Sequence, residues 1–315
     1  MVVDQHAARP DAAAEEREHL RTQLDELAGT DASPGARLRD LLHGAEIARV
    51  AGAHDALSAV LADQAGYDAV WASSLTISAT RGLPDVSLLT MTEYLQTATE
   101  MAQMSRVPVL ADCDSGFGGR LNVAYAVRLY EAANVGGICI EDKTFPKANS
   151  FMDTTQELIP ADDFARKIES GKRAQRDTDF VVIARTEALI SGYDVDEALT
   201  RAEIYTDAGA DGVLVHSKQD SPREVLEFLH RWSRRSPVVV VPTTYYNWPA
   251  REAAAAGVSM VIYANHTLRA AISAMRAALS EIESSGCTST LEPNISSVDE
   301  LFDLVRLDEW LSLEQ

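Results

Sequence analysis

From Arg37 onward, short apolar runs, many rich in β-branched residues, alternate with longer stretches whose apolar positions recur every three or four residues. The short runs are ARVAGAH (48–54), YDAVWASS (67–74), VPVLADCD (107–114), GGICIED (136–142), FVVIARTE (180–187), DGVLVHS (211–217), PVVVVPTT (237–244) and VSMVIYAN (258–265). Between them lie DALSAVLADQAG, TEYLQTATEMAQMS, NVAYAVRLYEAAN, DEALTRAEIYTDAG and PREVLEFLHRWSRR. Several of these close on Gly or Asn, the residues that stop helices. A strand that is apolar at nearly every position is covered on both faces, and intervening helices make such strands parallel. Eight such units fit an α/β fold of the (β/α)8 TIM-barrel type, which takes roughly 250 residues. An open doubly wound sheet is the competing arrangement, but the first run carries no GxGxxG turn.

Beyond the eighth run, TLRAAISAMRAALSEIESSG predicts a long helix and SVDELFDLVRLDEWL a further one. A closed barrel does not need both, so the tail is expected to pack on a neighbouring subunit. Residues 1–35 are rich in Ala, Asp and Glu and end in the turn-forming GTDASPG. They read as an acidic leader, either loosely attached or carrying a short helix over AEEREHLRTQLDELAG. Residues 36–315 then form the barrel domain with its C-terminal helices.

Charge narrows the partners. Lys and Arg number 28 against 48 Asp and Glu, a formal charge of −20, which repels nucleic acid and anionic membranes. An anionic small substrate requires a local reversal of that field by Lys, Arg, backbone N–H groups or a metal. The three cysteines, Cys113, Cys139 and Cys287, include no CxxC pair, so neither a disulfide framework nor a zinc site is expected. No apolar run reaches membrane-spanning length, and a soluble, cytoplasmic protein is the expectation.

In a parallel barrel, chemistry gathers where the C-terminal ends of the strands meet. The runs here end at His54; Ser73 and Ser74; Asp112 and Asp114; Glu141, Asp142 and Lys143; Arg185 and Glu187; His216 and Ser217; Thr243 and Thr244; and Asn265 and His266. One such ending reads as a helix cap, whereas eight on one rim read as an enzyme site. Asp112 and Asp114 lie two apart and so share a face of their strand, with Glu141 on the next strand and Asp85 in the RGLPD loop. Carboxylates at close quarters repel, and two arrangements resolve this: a divalent cation, or pairing with Lys143, Arg185 and loop N–H groups. All-oxygen ligands favour Mg²⁺, with Mn²⁺ next. Arg185 reads either as a fork for phosphoryl or carboxylate oxygens or as a partner of Glu187. His216 reads as a substrate contact or as a structural histidine. Lys147, Asn149 and Ser150 sit in KTFPKANSFMDTTQELIP, long enough to be a lid or a surface excursion.

The phrases VWASSLTISA, ADCDSGFGG, GICIEDKTFPKANSF, DFVVIARTEALISGYDVDEALTRAEIY, GADGVLVHSK, VPTTYY and VSMVIYANHTLRA carry a resemblance over about residues 45–310. The chain resembles the phosphoenolpyruvate mutase branch of the isocitrate lyase superfamily, EDK followed by FPKxNS being the most specific part. The resemblance implies Mg²⁺-dependent, reversible interconversion of phosphoenolpyruvate and phosphonopyruvate, an isomerase reaction of phosphonate biosynthesis. It implies Asp112 as the direct metal ligand, with Asp85, Asp114 and Glu141 around the metal. Trp71, Ser73, Ser74 and Leu75 match the segment binding the substrate carboxylate. Arg185 and His216 match phosphoryl-side and pyruvyl-side contacts. Lys147, Asn149 and Ser150 match a gating loop in which Asn149 holds the moving phosphoryl group. A homo-oligomer, dimer or tetramer, exchanging the last barrel helix is also implied.

Phosphonopyruvate hydrolase, whose lid has Thr where Asn149 stands, and carboxyphosphonoenolpyruvate mutase are the close alternatives. A non-catalytic barrel that serves as a binding subunit is the alternative of another class. The related C–C lyases carry a lid cysteine that FPKANSF lacks. Ser74 and Ala72 stand where glycines are usual in the mutase segment, and Ala148 where Thr is common. Those departures bear on substrate choice more than on metal use.

Overall fold

The computed structural model describes residues 32–152, 157–233 and 235–314. The leader helix expected over residues 14–29 lies outside them. Ser33 caps α1 (Pro34–His43), its hydroxyl accepting from the Ala36 N–H at 3.1 Å. Pro34 and Gly35, counted above with the leader, are therefore the first residues of this helix.

The chain then alternates as the apolar pattern predicts. The order is β1 (Ala48–Ala53), α2 (Ala56–Gln64), β2 (Ala69–Ala72), α3 (Ser74–Thr80), α4 (Met91–Met104), β3 (Val109–Asp112), α5 (Arg120–Ala132), β4 (Gly137–Glu141) and α6 (Ala161–Ala174). It continues through β5 (Val181–Thr186), α7 (Val195–Asp207), β6 (Gly212–Val215), α8 (Arg223–Trp232), β7 (Val238–Val240), α9 (Ala250–Ala256), β8 (Met260–Tyr263) and α10 (His266–Ser285). The strands form a closed barrel in chain order, each parallel to the next, and β8 pairs back onto β1 with Val50 opposite Ile262. That closure excludes the open doubly wound sheet. At the seam Gly52 passes the Ala264 backbone so closely that an added Cβ would lie 2.0 Å from its carbonyl oxygen.

Side chains alternate across each strand, and this period of two decides what faces the lumen. Leu110, Cys139, Val181, Ile183, Leu214 and Met260 fill the interior, with Leu38 and Leu42 of α1 in the same cluster. Their neighbours Ala111, Ile138, Ile140, Val182 and Ala184 face outward into the layer packed by the helices. Two residues beyond an interior position the chain again points inward. Asp112, Glu141, Arg185 and His216 stand on that parity, above Leu110, Cys139, Ile183 and Leu214. Cys113 and Cys139 are both buried and free, as small apolar groups would be.

Two local expectations need correction. The strand carrying Asp112 ends at that residue, and Asp114 lies beyond it with φ of 50°. A turn, not strand periodicity, brings the second carboxylate to the site. The segment 297–311 is not one helix. It divides into α11 (Val298–Leu304) and α12 (Leu307–Ser312), because Arg306 takes a left-handed conformation with φ of 53° that no continuous helix accepts. Among the described residues no helix is long and apolar enough to cross a membrane.

Candidate active site

The C-terminal rim of the barrel and the β4–α6 connection enclose two clusters of charges. β2 ends at Ala72, so Ser73 and Ser74 are not strand residues. Ser73 caps α3 and Ser74 opens it. From this position the Ser74 hydroxyl donates to Asp112 Oδ2 at 2.8 Å. The connection after β4 folds back over the rim and places Lys147, Asn149 and Ser150 on it. Lys147 is 6% exposed and Ser150 5%, which makes residues 143–152 a cover over the site in this structure.

Lys147 reaches into the acidic residues. Its Nζ lies 3.1 Å from Asp85 Oδ1, 2.7 Å from Asp114 Oδ1 and 2.9 Å from Ser74 Oγ. The amide of Asn149 donates to Asp85 Oδ2 at 2.6 Å. Burial pushes the Asp85 carboxyl up, but the Lys147 ammonium and the Asn149 amide outweigh it and hold the group below its ordinary range. Burial wins at Asp114, where Asp112 and Asp85 add repulsion, and its pKa is raised. Lys147 itself is held well above the usual lysine range, because Asp114 and Asp85 more than offset its desolvation.

A second cluster centres on Glu187, which is completely buried. Its carboxylate takes Arg185 Nε at 2.5 Å, Lys143 Nζ at 2.9 Å and the Ser150 hydroxyl at 2.5 Å. Ser150 Oγ in turn accepts from Lys143 at 2.7 Å and Arg185 at 2.9 Å. Desolvation would raise the Glu187 pKa, yet Arg185 and Lys143 hold it well below the carboxylate range. Glu141 lies beside these cations, 3.3 Å from Arg185 and 3.9 Å from Lys143. Burial dominates there and pushes its pKa up to about 7. Arg185 thus pairs with Glu187 and also lines the cavity.

His216 Nδ1 lies 2.8 Å from Arg185 Nη2 and 3.0 Å from Glu187 Oε1. A guanidinium only donates, so Nδ1 accepts from it and the ring proton is assigned to Nε2. Burial and the adjacent Arg185 charge lower the His216 pKa and keep the ring neutral. Nε2 has no partner among the described residues. Asp142, at the same level, is a support: it accepts from Tyr205 at 2.6 Å, Arg201 at 3.1 Å and the Glu187 N–H at 2.9 Å.

These groups leave a narrow cavity of about 40 Å³, walled by Trp71, Ser73, Leu75, Asp85, Asp112, Lys147, Asn149, Ser150, Arg185 and His216 among others. That is far below the usual size of a ligand pocket. The structure brings Asp85, Asp112, Asp114, Glu141, Lys147, Asn149, Ser150, Arg185 and His216 together with Trp71, Ser73, Ser74 and Leu75, whereas His54 and His266 of the same rim line a separate cavity. Within the first group it sets Ser74, Asp114 and Glu141 behind the cavity wall and the others on it. Residues that sequence reasoning passed over complete the site. Ser87, with φ of 57°, donates to Asp114 Oδ2 at 3.0 Å and accepts from the Lys147 N–H at 3.1 Å. Phe151 sets its ring edge-on to His216 at 5.6 Å. Nothing in the local pattern marks Ser87, whereas the Lys143 and Glu187 charges at strand ends could have been read as a pair.

The acidic residues suit a hard divalent cation. Asp85 Oδ1 and Asp114 Oδ1 face the Lys147 ammonium alone, at 3.1 and 2.7 Å, and the buried Glu141 Oε1 accepts no hydrogen bond among the described residues. Among the described residues no three His, Cys, Asp or Glu side chains converge at metal-site spacing. Mg²⁺ does not require such a cage, since it keeps waters and takes one or two carboxylates.

Residues 38–283 match the family described as phosphoenolpyruvate phosphomutase. A phosphoenolpyruvate phosphomutase of Tetrahymena pyriformis is 39% identical over 274 residues, 87% of this chain and 91% of that protein. The crystal structure of a phosphoenolpyruvate phosphomutase from Streptomyces platensis subsp. rosaceus superposes with a TM-score of 0.88 at 51% identity. It covers 89% of this chain and 98% of that one. A phosphonopyruvate hydrolase solved with oxalate and Mg²⁺ gives 0.85 at 38% identity, covering 90% and 98%.

Proposed function

The chain belongs to the phosphoenolpyruvate phosphomutase family, and on that footing we propose that it is an isomerase interconverting phosphoenolpyruvate and phosphonopyruvate. The observation that carries this reading is the cover: Asn149 is held over the Asp85, Asp112 and Arg185 wall. The described free cysteines, Cys113, Cys139 and Cys287, all lie outside it.

The reaction moves one group. The P–O bond of phosphoenolpyruvate breaks with its electron pair left on oxygen, giving pyruvate enolate. The enolate methylene carbon then takes the phosphorus, the C–P bond forms and the carbonyl returns, with no proton gained or lost. A loose phosphoryl transition state needs positioning and charge stabilisation more than a strong base. Arg185, anchored by Glu187 and Glu141, supplies a fixed positive charge at the wall. His216, kept neutral, offers its Nε2 proton to a substrate oxygen. Ser73 and Leu75 stand at the start of α3, where backbone N–H groups suit a carboxylate. Asn149 supplies an amide donor to the phosphoryl group in transit. Asp112, with Asp85, Asp114 and Glu141, would hold Mg²⁺, which supplies charge to stabilise the enolate oxygen when bound. The closed cover excludes water, which would otherwise capture the phosphoryl group.

³¹P NMR of the protein with Mg²⁺ and phosphonopyruvate tests this. Phosphoenolpyruvate is expected to appear, to stop forming on chelation with EDTA, and to resume with added Mg²⁺ or Mn²⁺. Phosphate and pyruvate as the products would establish the hydrolase instead.

We also propose a helix-exchanged homo-oligomer as the working form. Along α10 Leu268 is the one buried residue, while Met275, Leu279 and Ile282 are exposed. The tail exposes Val298, Leu301, Phe302 and Trp310 as well. A largely apolar cavity of about 340 Å³ lies between α2 and the start of α10, with Leu57, Leu61, Tyr67 and Tyr263 in its wall. Apolar surface on this scale marks an interaction face, and a second copy offers the matching one. Leu279→Glu is expected to shift the protein toward monomer in sedimentation velocity. An unchanged sedimentation coefficient, equal to that of a dimer or tetramer, would place the interface elsewhere.

A further inference from the structure

Ser74 is fully buried at the start of α3. Ser73 and Leu75 on either side of it line the cavity, but the Ser74 hydroxyl is spent elsewhere. It lies between two charges, accepting from Lys147 Nζ at 2.9 Å and donating to Asp112 Oδ2 at 2.8 Å. An ammonium can only donate and an ionised carboxylate can only accept, so the direction of this chain is fixed from lysine through serine to aspartate. Lys147 pairs directly with Asp85 and Asp114; Ser74 extends its reach to Asp112.

The two ends of the chain belong to different parts of the molecule. Asp112 closes a barrel strand, whereas Lys147 rides on the cover formed by residues 143–152. When that segment lifts, Lys147 leaves and the Ser74 hydroxyl loses the donor that sets its rotor. We propose that Ser74 is a positioning residue whose hydroxyl latches the cover to Asp112, so that closing the cover and orienting this carboxylate are one event. A glycine at this position would have no group to make the link.

The inference rests on the reading of residues 143–152 as a moving cover and not on the identity of the substrate. Its test therefore runs without substrate or metal, so that its failure and the failure of the mutase reading remain separate results. The Lys147–Ala148 bond is a trypsin site that is buried while the cover is shut and cleavable when it opens. The rate at which a fragment beginning at Ala148 appears, followed by mass spectrometry, reads that opening. Ser74→Ala should raise this rate about tenfold, the effect of losing a hydrogen bond to a charged group. The thermal midpoint should fall by no more than about 2–4 °C, and cleavage at other sites should be unaltered.

Ser74→Gly should do the same and serves as a second removal of the hydroxyl. Ser78→Ala is the control, because Ser78 lies in the same helix and bonds Tyr94 at 2.9 Å instead of Lys147 or Asp112; it should leave the Ala148 fragment unchanged. Wild-type cleavage rates in both Ser74 variants would overturn the proposal. So would an equal rise in Ser78→Ala, which would trace the effect to a loosened helix.

Discussion

Replacing Asn149 with Ala is expected to lower mutase turnover by about 10²–10³-fold, the cost of losing one preorganised donor to charge developing in a transition state. The magnitude follows from where the residue sits. Its amide Nδ2 reaches Asp85 at 2.6 Å and its Oδ1 accepts the Phe151 N–H at 3.0 Å, so the donor is held from both ends before substrate arrives. Truncation removes the donor and leaves the rest of the cover attached through Lys147 and Ser150. The loss should therefore fall on kcat in the ³¹P assay while the thermal midpoint stays near wild type. Turnover within a few-fold of wild type would remove Asn149 from the chemistry and with it the assignment of the cover.

Glu187→Gln should cost about 3–5 kcal/mol of folding stability, the penalty for breaking a buried ion pair from one side. Glutamine keeps the size of the side chain, so the change opens no cavity and the loss reads charge alone. Arg185 and Lys143 would then share Glu141 only, at 3.3 and 3.9 Å, and two buried cations would stand against one carboxylate whose own ionisation burial already opposes. Urea unfolding followed by circular dichroism measures the difference. Activity should fall too, since Ser150 takes its place from Glu187 and Arg185, which holds His216, is anchored by the same carboxylate. Wild-type unfolding free energy in this variant would show that Glu187 is not the hub of the cluster.

Much of this site could be read along the chain. Asp112, Glu141, Arg185 and His216 each follow an apolar run by a single step, and the period of two that sends Leu110, Cys139, Ile183 and Leu214 inward sends them inward as well. Lys147, Asn149 and Ser150 were visible as polar residues in a connection too long for a simple turn. The readings that needed revision fell where the backbone leaves regular structure. Asp114 arrives through a left-handed turn, Ser74 turns from the cavity wall to Asp112, and Arg306 breaks the tail helix. Ser87, another residue at positive φ, joins Asp114 to the cover without any sequence signal.

The linear chain by itself determined the barrel, the rim that carries the chemistry and the acidic and basic side chains on it. These follow from alternation and from the cost of leaving apolar runs exposed to water, which are local and additive properties. Tertiary structure alone decided which distant charges pair: Lys147 with Asp85 and Asp114 across the cover, and Arg185 with Glu141 between neighbouring strands. Electrostatic energy depends on distance and on the surrounding dielectric. Neither quantity exists until residues distant in sequence share a buried volume of a few ångströms.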